Sequence, residues 1–104
     1  MQTIIIVLNA EKMENPDLDI RYSLPDRIAE YTGNQVTDNG YDFLSGTELG
    51  IWLETEDAVR GAEQAAALLR SERFSENDLS RIAEIYISED DSAPIDNCRK
   101  VYPA

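Results

Sequence analysis

Apolar and polar positions alternate from Thr47 to Thr55: Leu49, Ile51 and Leu53 fall on one side, and Glu48, Gly50, Trp52 and Glu54 on the other. A period of two predicts a strand with one face in a core. Thr3 to Leu8 is β-branched and apolar on both sides, which predicts a central strand covered on both faces. Ile82 to Ser88 alternates again, with Ala83, Ile85 and Ile87 opposite Glu84, Tyr86 and Ser88. Gln35 to Leu44 reads as a strand or strand pair, interrupted by the turn signal Asp38-Asn39-Gly40. Ser45-Gly46 turns the chain again, so Tyr41 to Leu44 and Thr47 to Thr55 are expected to pair as an antiparallel hairpin.

Two segments carry helical spacing. Ser23 is a good N-cap, Pro25 is tolerated in a first turn, and Asp26 complements the positive end of the helix dipole. Leu24, Ile28 and Tyr31 follow at helical spacing, and Gly33 supplies the stop. The second helix is expected from Asp57 to Arg70, capped near Thr55 or Glu56, with Ala58, Val59, Ala62, Ala65, Ala66 and Leu69 as its apolar stripe. Gly61 in that stripe either weakens the helix by ~1 kcal/mol relative to alanine or permits a close approach.

The remaining segments connect. Asn9 to Tyr22 is polar and acidic with a turn signal at Asn15-Pro16; Leu18, Ile20 and Tyr22 alternate, so its second half is expected to be extended. Phe74 to Arg81 is a connector in which Ser75 and Asp78 have capping-box spacing. Glu89-Asp90-Asp91 ends the last clear strand. The tail, with Ile95, Cys98, Val101 and Tyr102, is expected to dock on the body as a short edge strand.

The order strand, helix, strand, strand, helix, strand predicts an α+β domain over residues 1–104. It is similar to the ferredoxin-like βαββαβ arrangement, a four-stranded antiparallel sheet with two helices on one face. In that arrangement Leu49, Ile51, Leu53, Ala83, Ile85 and Ile87 face the helices. Trp52, Tyr86, Glu48, Glu54 and Glu84 lie on the open face.

Composition changes this picture in one respect. The apolar share of 42% suffices for a core, but 21 acids against 9 bases give a net charge of −12. Such a surface repels nucleic acid and anionic membranes and speeds encounter with basic partners. The single cysteine, Cys98, leaves no internal disulfide and no zinc cluster, which fits a reducing compartment. The N-terminal run lacks a basic flank and is too short to span a bilayer, so a cytoplasmic protein is expected.

Candidate chemistry is sparse. Without histidine there is no His-dependent triad or His-metal site. Cys98 lacks a base partner, phosphate-binding glycine loops are absent, and Glu89-Asp90-Asp91 lacks the spacing of a calcium loop. With acids so abundant, two near one another do not define a catalytic pair. No enzyme, cofactor or metal is therefore expected. Trp52 and Tyr86 among Glu48, Glu54 and Glu84 have the composition of an interaction hot spot, and the acidic loop with Asp17 and Asp19 is a second candidate patch.

In small size, acidity and lack of catalytic groups, the whole chain resembles the immunity proteins of bacterial toxin systems, contact-dependent inhibition systems included. The resemblance is one of general character and carries no diagnostic motif. It implies a basic protein partner, a toxin domain such as a nuclease, blocked by carboxylates that stand where substrate phosphates would. It implies no direct nucleic-acid or membrane binding, and a monomer or weak dimer when free. Other readings are a phage-type DNA-mimic inhibitor, a homodimer with a small-molecule or simple enzymatic site between its sheet faces, and a structural subunit of a larger assembly.

Overall fold

The computed structural model describes residues 1–103. It is an α+β domain with one five-stranded antiparallel sheet and two α-helices. The strands are β1 (Gln2–Asn9), β2 (Val36–Phe43), β3 (Glu48–Thr55), β4 (Glu84–Ser88) and β5 (Arg99–Tyr102); the helices are α1 (Ile20–Tyr31) and α2 (Ala58–Ser71). The sheet order is β2-β3-β1-β4-β5. The sheet has five strands rather than the four of the ferredoxin-like arrangement, the fifth being the edge strand expected of the tail: Arg99, Lys100 and Tyr102 pair with Ile87, Tyr86 and Ile85 on β4.

β1 is central, and its residues are buried on both faces. Ile4, Ile6 and Leu8 join Leu49, Ile51, Leu53, Ile85 and Ile87 in one core with residues of both helices. Ile5 and Val7 are equally buried but point to the opposite face. That explains the lack of alternation in Thr3–Leu8: each side chain has a cover.

Helix α1 starts three residues before the predicted cap. Asp19, not Ser23, is the cap residue, and Ile20 and Tyr22 are helical rather than extended. The physical reason is a turn at Asp17: its carboxylate accepts from Asp19 N–H and its carbonyl from Ile20 N–H. Starting there aligns Ile20, Leu24 and Ile28 as one buried stripe. Pro25 therefore sits inside the helix, and Tyr31 is exposed rather than part of the core. Gly33 does end α1, at φ +61°.

Helix α2 is capped by Asp57, next to Glu56, and the Asp57 carboxylate accepts from Arg60 N–H. Val59 is exposed, outside the buried stripe. Gly61 marks a close approach: a Cβ there would lie 2.7 Å from Ile4 Cδ1 and 3.0 Å from Val36 Cγ2. Both neighbours are fully buried. Gly61→Ala is therefore expected to lower stability by about 1 kcal/mol or more, because overpacking outweighs the gain in helix propensity. A urea midpoint at or above that of the parent would show that the core yields there.

Ser75 and Asp78 do not form a capping box. Ser75 donates instead to Asp17, and Asp78 caps a short 3₁₀ turn at Leu79–Arg81 by accepting from Ser80 N–H. Ile82 ends that turn, so β4 begins at Glu84 rather than Ile82. β2 is one strand, irregular between Asp38 and Tyr41, and it pairs with β3 along its length. No helix among the described residues is long and apolar enough to cross a membrane.

Candidate functional site

The sheet face away from the helices carries five of the seven residues singled out by sequence. Pairing places Trp52 and Tyr86 on either side of Ile5, Glu84 beside Val7, Glu54 beside Thr3, and Glu48 beside Asn9. This face is not bare. The β4–β5 connection, residues 89–98, crosses one end of it as a strap. Thr3 Oγ1 donates to Asp90 O at 2.7 Å and accepts from Ala93 N–H at 3.0 Å. Trp52 Nε1 donates to Ala93 O at 2.9 Å. Asn39 Nδ2, at the β2 irregularity, donates to Ser92 Oγ at 3.2 Å. The strap therefore reaches from β4 across to β2.

Trp52 is consequently half-buried, with its indole N–H already satisfied. Its ring also lies over Gly50, where a Cβ would come within 2.7 Å of Cζ3. Tyr86 is half-buried too. Its hydroxyl donates to Glu84 Oε1 at 3.3 Å, and Lys100 Nζ lies 3.4 Å from Glu84 Oε2. Burial, then the charge of Glu84, raises the Tyr86 phenol above its ordinary value. The face is acidic overall: β2 adds Asp42, opposite Gly50. Among the described residues, Lys100 is the one cation that strand pairing places there, and Glu84 already engages it.

Asp17 and Asp19 are elsewhere. Asp17 accepts from Ser75 Oγ and from Asp19 N–H, and the same segment is tied down by Asn15 N–H donating to Asn77 Oδ1 at 2.9 Å. The hydrogen bonds from Ser75, and then from Asp19 N–H, hold the Asp17 carboxyl below the ordinary aspartate value of 3.8. Asp78 is lowered likewise, chiefly by Ser80. A carboxyl whose pKa falls on folding contributes stability above its unfolded value and loses it as pH drops through the folded value. The fold is therefore expected to weaken below about pH 4. Asp17→Asn should flatten part of that loss in urea midpoints measured down the acid range; an unchanged profile would show that Asp17 adds nothing.

Sequence reasoning missed the most exposed aromatic cluster. Tyr41 and Phe43 lie on the helix side of the edge strand β2, opposite Ile51 and Leu49. Tyr22, from the first turn of α1, meets Tyr41 edge-on with ring centroids 5.9 Å apart; Tyr41 meets Phe43 likewise at 6.2 Å. The Arg21 guanidinium lies 4.6 Å from the Tyr22 ring centre and 5.2 Å from that of Tyr41. Tyr22, Tyr41 and Phe43 are 48%, 42% and 50% exposed, and Leu18 just before α1 is 57% exposed. Three rings in edge-on contact left this open are unusual for a surface that no partner covers.

The electrostatics of the cluster are distinct. The guanidinium, and then the Tyr41 contact, pull the Tyr22 phenol below its ordinary value, while Tyr22 pushes Tyr41 up. Asp19 lies close enough to raise Arg21 by its charge, after the larger effect of Tyr22. Arg21 Nε is buried without a hydrogen-bond partner. The cluster thus holds its cation by ring faces more than by carboxylates. The visible sequence signal was Tyr41-Asp42-Phe43, two aromatics at strand spacing next to a turn; its partner Tyr22 was hidden by the misplaced helix start.

Among the described residues no group of three or more metal-binding side chains is placed to hold an ion. Comparison of the chain with protein-family models, with curated proteins and with solved structures finds no match.

Proposed function

We propose that the chain is a non-enzymatic binding protein that neutralises a basic protein partner, in the manner of a toxin-system immunity protein acting in the cytoplasm. The observation that carries this reading is the exposed Leu18, Tyr22, Tyr41 and Phe43 cluster, with the half-buried Arg21 between its rings and acids at its border. Tyrosine and arginine are the side chains most enriched among binding hot spots, and rigid aromatics give contact area at low entropy cost. Asp19 adjoins the cluster, and Asp42 turns from it towards Glu48, Glu54 and Glu84 on the open face. The aromatics then anchor, and the carboxylates steer a cationic partner and take the place of its substrate phosphates. Trp52 and Tyr86 lie on the opposite, open face and are not its centre; strap and sheet already cover them in part.

The fold reading goes with it. β1 to β4 with α1 and α2 have the strand order and antiparallel sense of a ferredoxin-like unit, and β5 is an addition at the β4 edge. The strap across the open face works against the dimer reading, since two sheets cannot pack flat over it.

The test is co-purification with the product of the neighbouring gene, at low and then raised salt. A basic partner held at low salt, released more readily as screening rises, and inhibited in its own assay supports the proposal. A tight dimer of the free protein that captures no partner at either salt overturns it.

A further inference from the structure

Beyond the four strands that the helices roof, β5 extends the sheet and leaves a trough of about 650 Å³ between its helix side and α2. Part of the lining is apolar: Ala62 and Ala66 from α2, Ile87 from β4, and Val101 and Tyr102 from β5. Val59, at the α2 end of the trough, is 52% exposed. Arg70 and Arg99 also line it, with Glu63 as the one carboxylate.

With two arginines to one carboxylate, the charge there is the reverse of the overall balance. In a chain with 21 acids, neither Arg70 nor Arg99 takes part in any of the ion pairs among the described residues. Direction along the elements separates the two. Arg99 pairs with Ile87 at the start of β5, whereas Arg70, near the end of α2, has its guanidinium 6.0 Å from the Tyr102 ring centre. Glu63 lies earlier on α2 than Arg70, towards Val59. The Arg70–Tyr102 end is therefore cationic, and an apolar strip of Ala62, Ala66, Ile87 and Val101 adjoins it, with Glu63 and Arg99 also lining the trough.

An added β-strand is a poor occupant. β5 has four residues, and Pro103 follows without an N–H to extend a ladder. We propose that the trough binds a small amphipathic carboxylate, with its head on Arg70 and its apolar body along Ala62, Ala66, Ile87 and Val101. Pockets of this size that combine apolar walls with a few placed charged groups are characteristic of small-ligand sites. Guanidinium pairs with a carboxylate by charge-assisted hydrogen bonds. The site lies at the β5 edge, opposite the β2 edge that carries the aromatic cluster, so it stands or falls apart from partner binding.

The experiment is a titration of the isotope-labelled protein with sodium decanoate below its micelle concentration, read by amide chemical shifts. Saturable shifts confined to α2 and β5 are expected. Arg70→Gln, at an exposed position, should weaken binding by roughly tenfold or more, and Val59→Glu should abolish it through charge in the trough. Decylammonium should give no such shifts. Scattered or non-saturating shifts, equal binding of decylammonium, or full binding by a well-folded Arg70→Gln would overturn the proposal.

Discussion

Tyr41→Ala is expected to weaken capture of the proposed basic partner by roughly thirtyfold or more, the range of a central hot-spot residue. Tyr41 is the hinge of the cluster: it touches Tyr22 on one side and Phe43 on the other, and the Arg21 guanidinium lies 5.2 Å from its ring centre. Removing it separates the other two rings and frees the guanidinium from one of its two aromatic supports. The loss should appear mainly as faster dissociation. Asp42→Asn, by contrast, should slow association by a few-fold and leave dissociation nearly unchanged, because a rim charge steers more than it anchors. Surface plasmon resonance at two salt concentrations separates the two effects. If Tyr41→Ala binds as tightly as the parent, the aromatic cluster is not the anchor, and the sheet face with Trp52 and Tyr86 becomes the site.

Thr3→Val is expected to lower stability by about 1–3 kcal/mol, although valine matches threonine in shape. The cost comes from what the hydroxyl holds. Ala93 N–H is buried and has Thr3 Oγ1 as its acceptor, and the same hydroxyl donates to Asp90 O. Valine leaves the amide unpaired in a dry place. With that staple gone, Ala93 O is less well positioned for the indole N–H of Trp52. The chain has one tryptophan, so its emission reports the strap directly; a red shift should accompany the lower urea midpoint. An unchanged midpoint and spectrum would mean that apolar contacts alone hold the strap. Partner binding should survive this substitution, since Tyr22, Tyr41 and Phe43 lie on the helix side of the sheet.

The strands were legible because their information is local. Leu49, Ile51 and Leu53 announce a face by spacing alone, and an unbroken Ile4-Ile5-Ile6-Val7-Leu8 run announces two. The start of α1 was not legible, because a serine followed by proline gives a stronger cap signal than the aspartate turn that forms. That turn draws on Ser75, which lies 58 residues away along the chain. The candidate site suffered from the same cause. Trp52 stood out as a lone aromatic between carboxylates, but its fate depends on a backbone carbonyl at Ala93, which no residue type encodes. Tyr22 and Tyr41 are joined only by tertiary folding. Asp17, read as a free acid, spends its oxygens on Ser75 and on Asp19 N–H.

The staple at Thr3 has a further consequence, for the order of events during synthesis. β1 leaves the ribosome long before the strap, yet Thr3 bonds Asp90 and Ala93, 87 and 90 residues later. Both lateral neighbours of β1, β3 and β4, also come after it in the chain. Ile5 and Val7 must therefore wait, uncovered on one side, until almost the entire sheet exists. Contacts this distant slow folding, because loop closure precedes any reward. The nascent chain has its greatest need of protection from aggregation in that interval, and its strong negative charge supplies some of it.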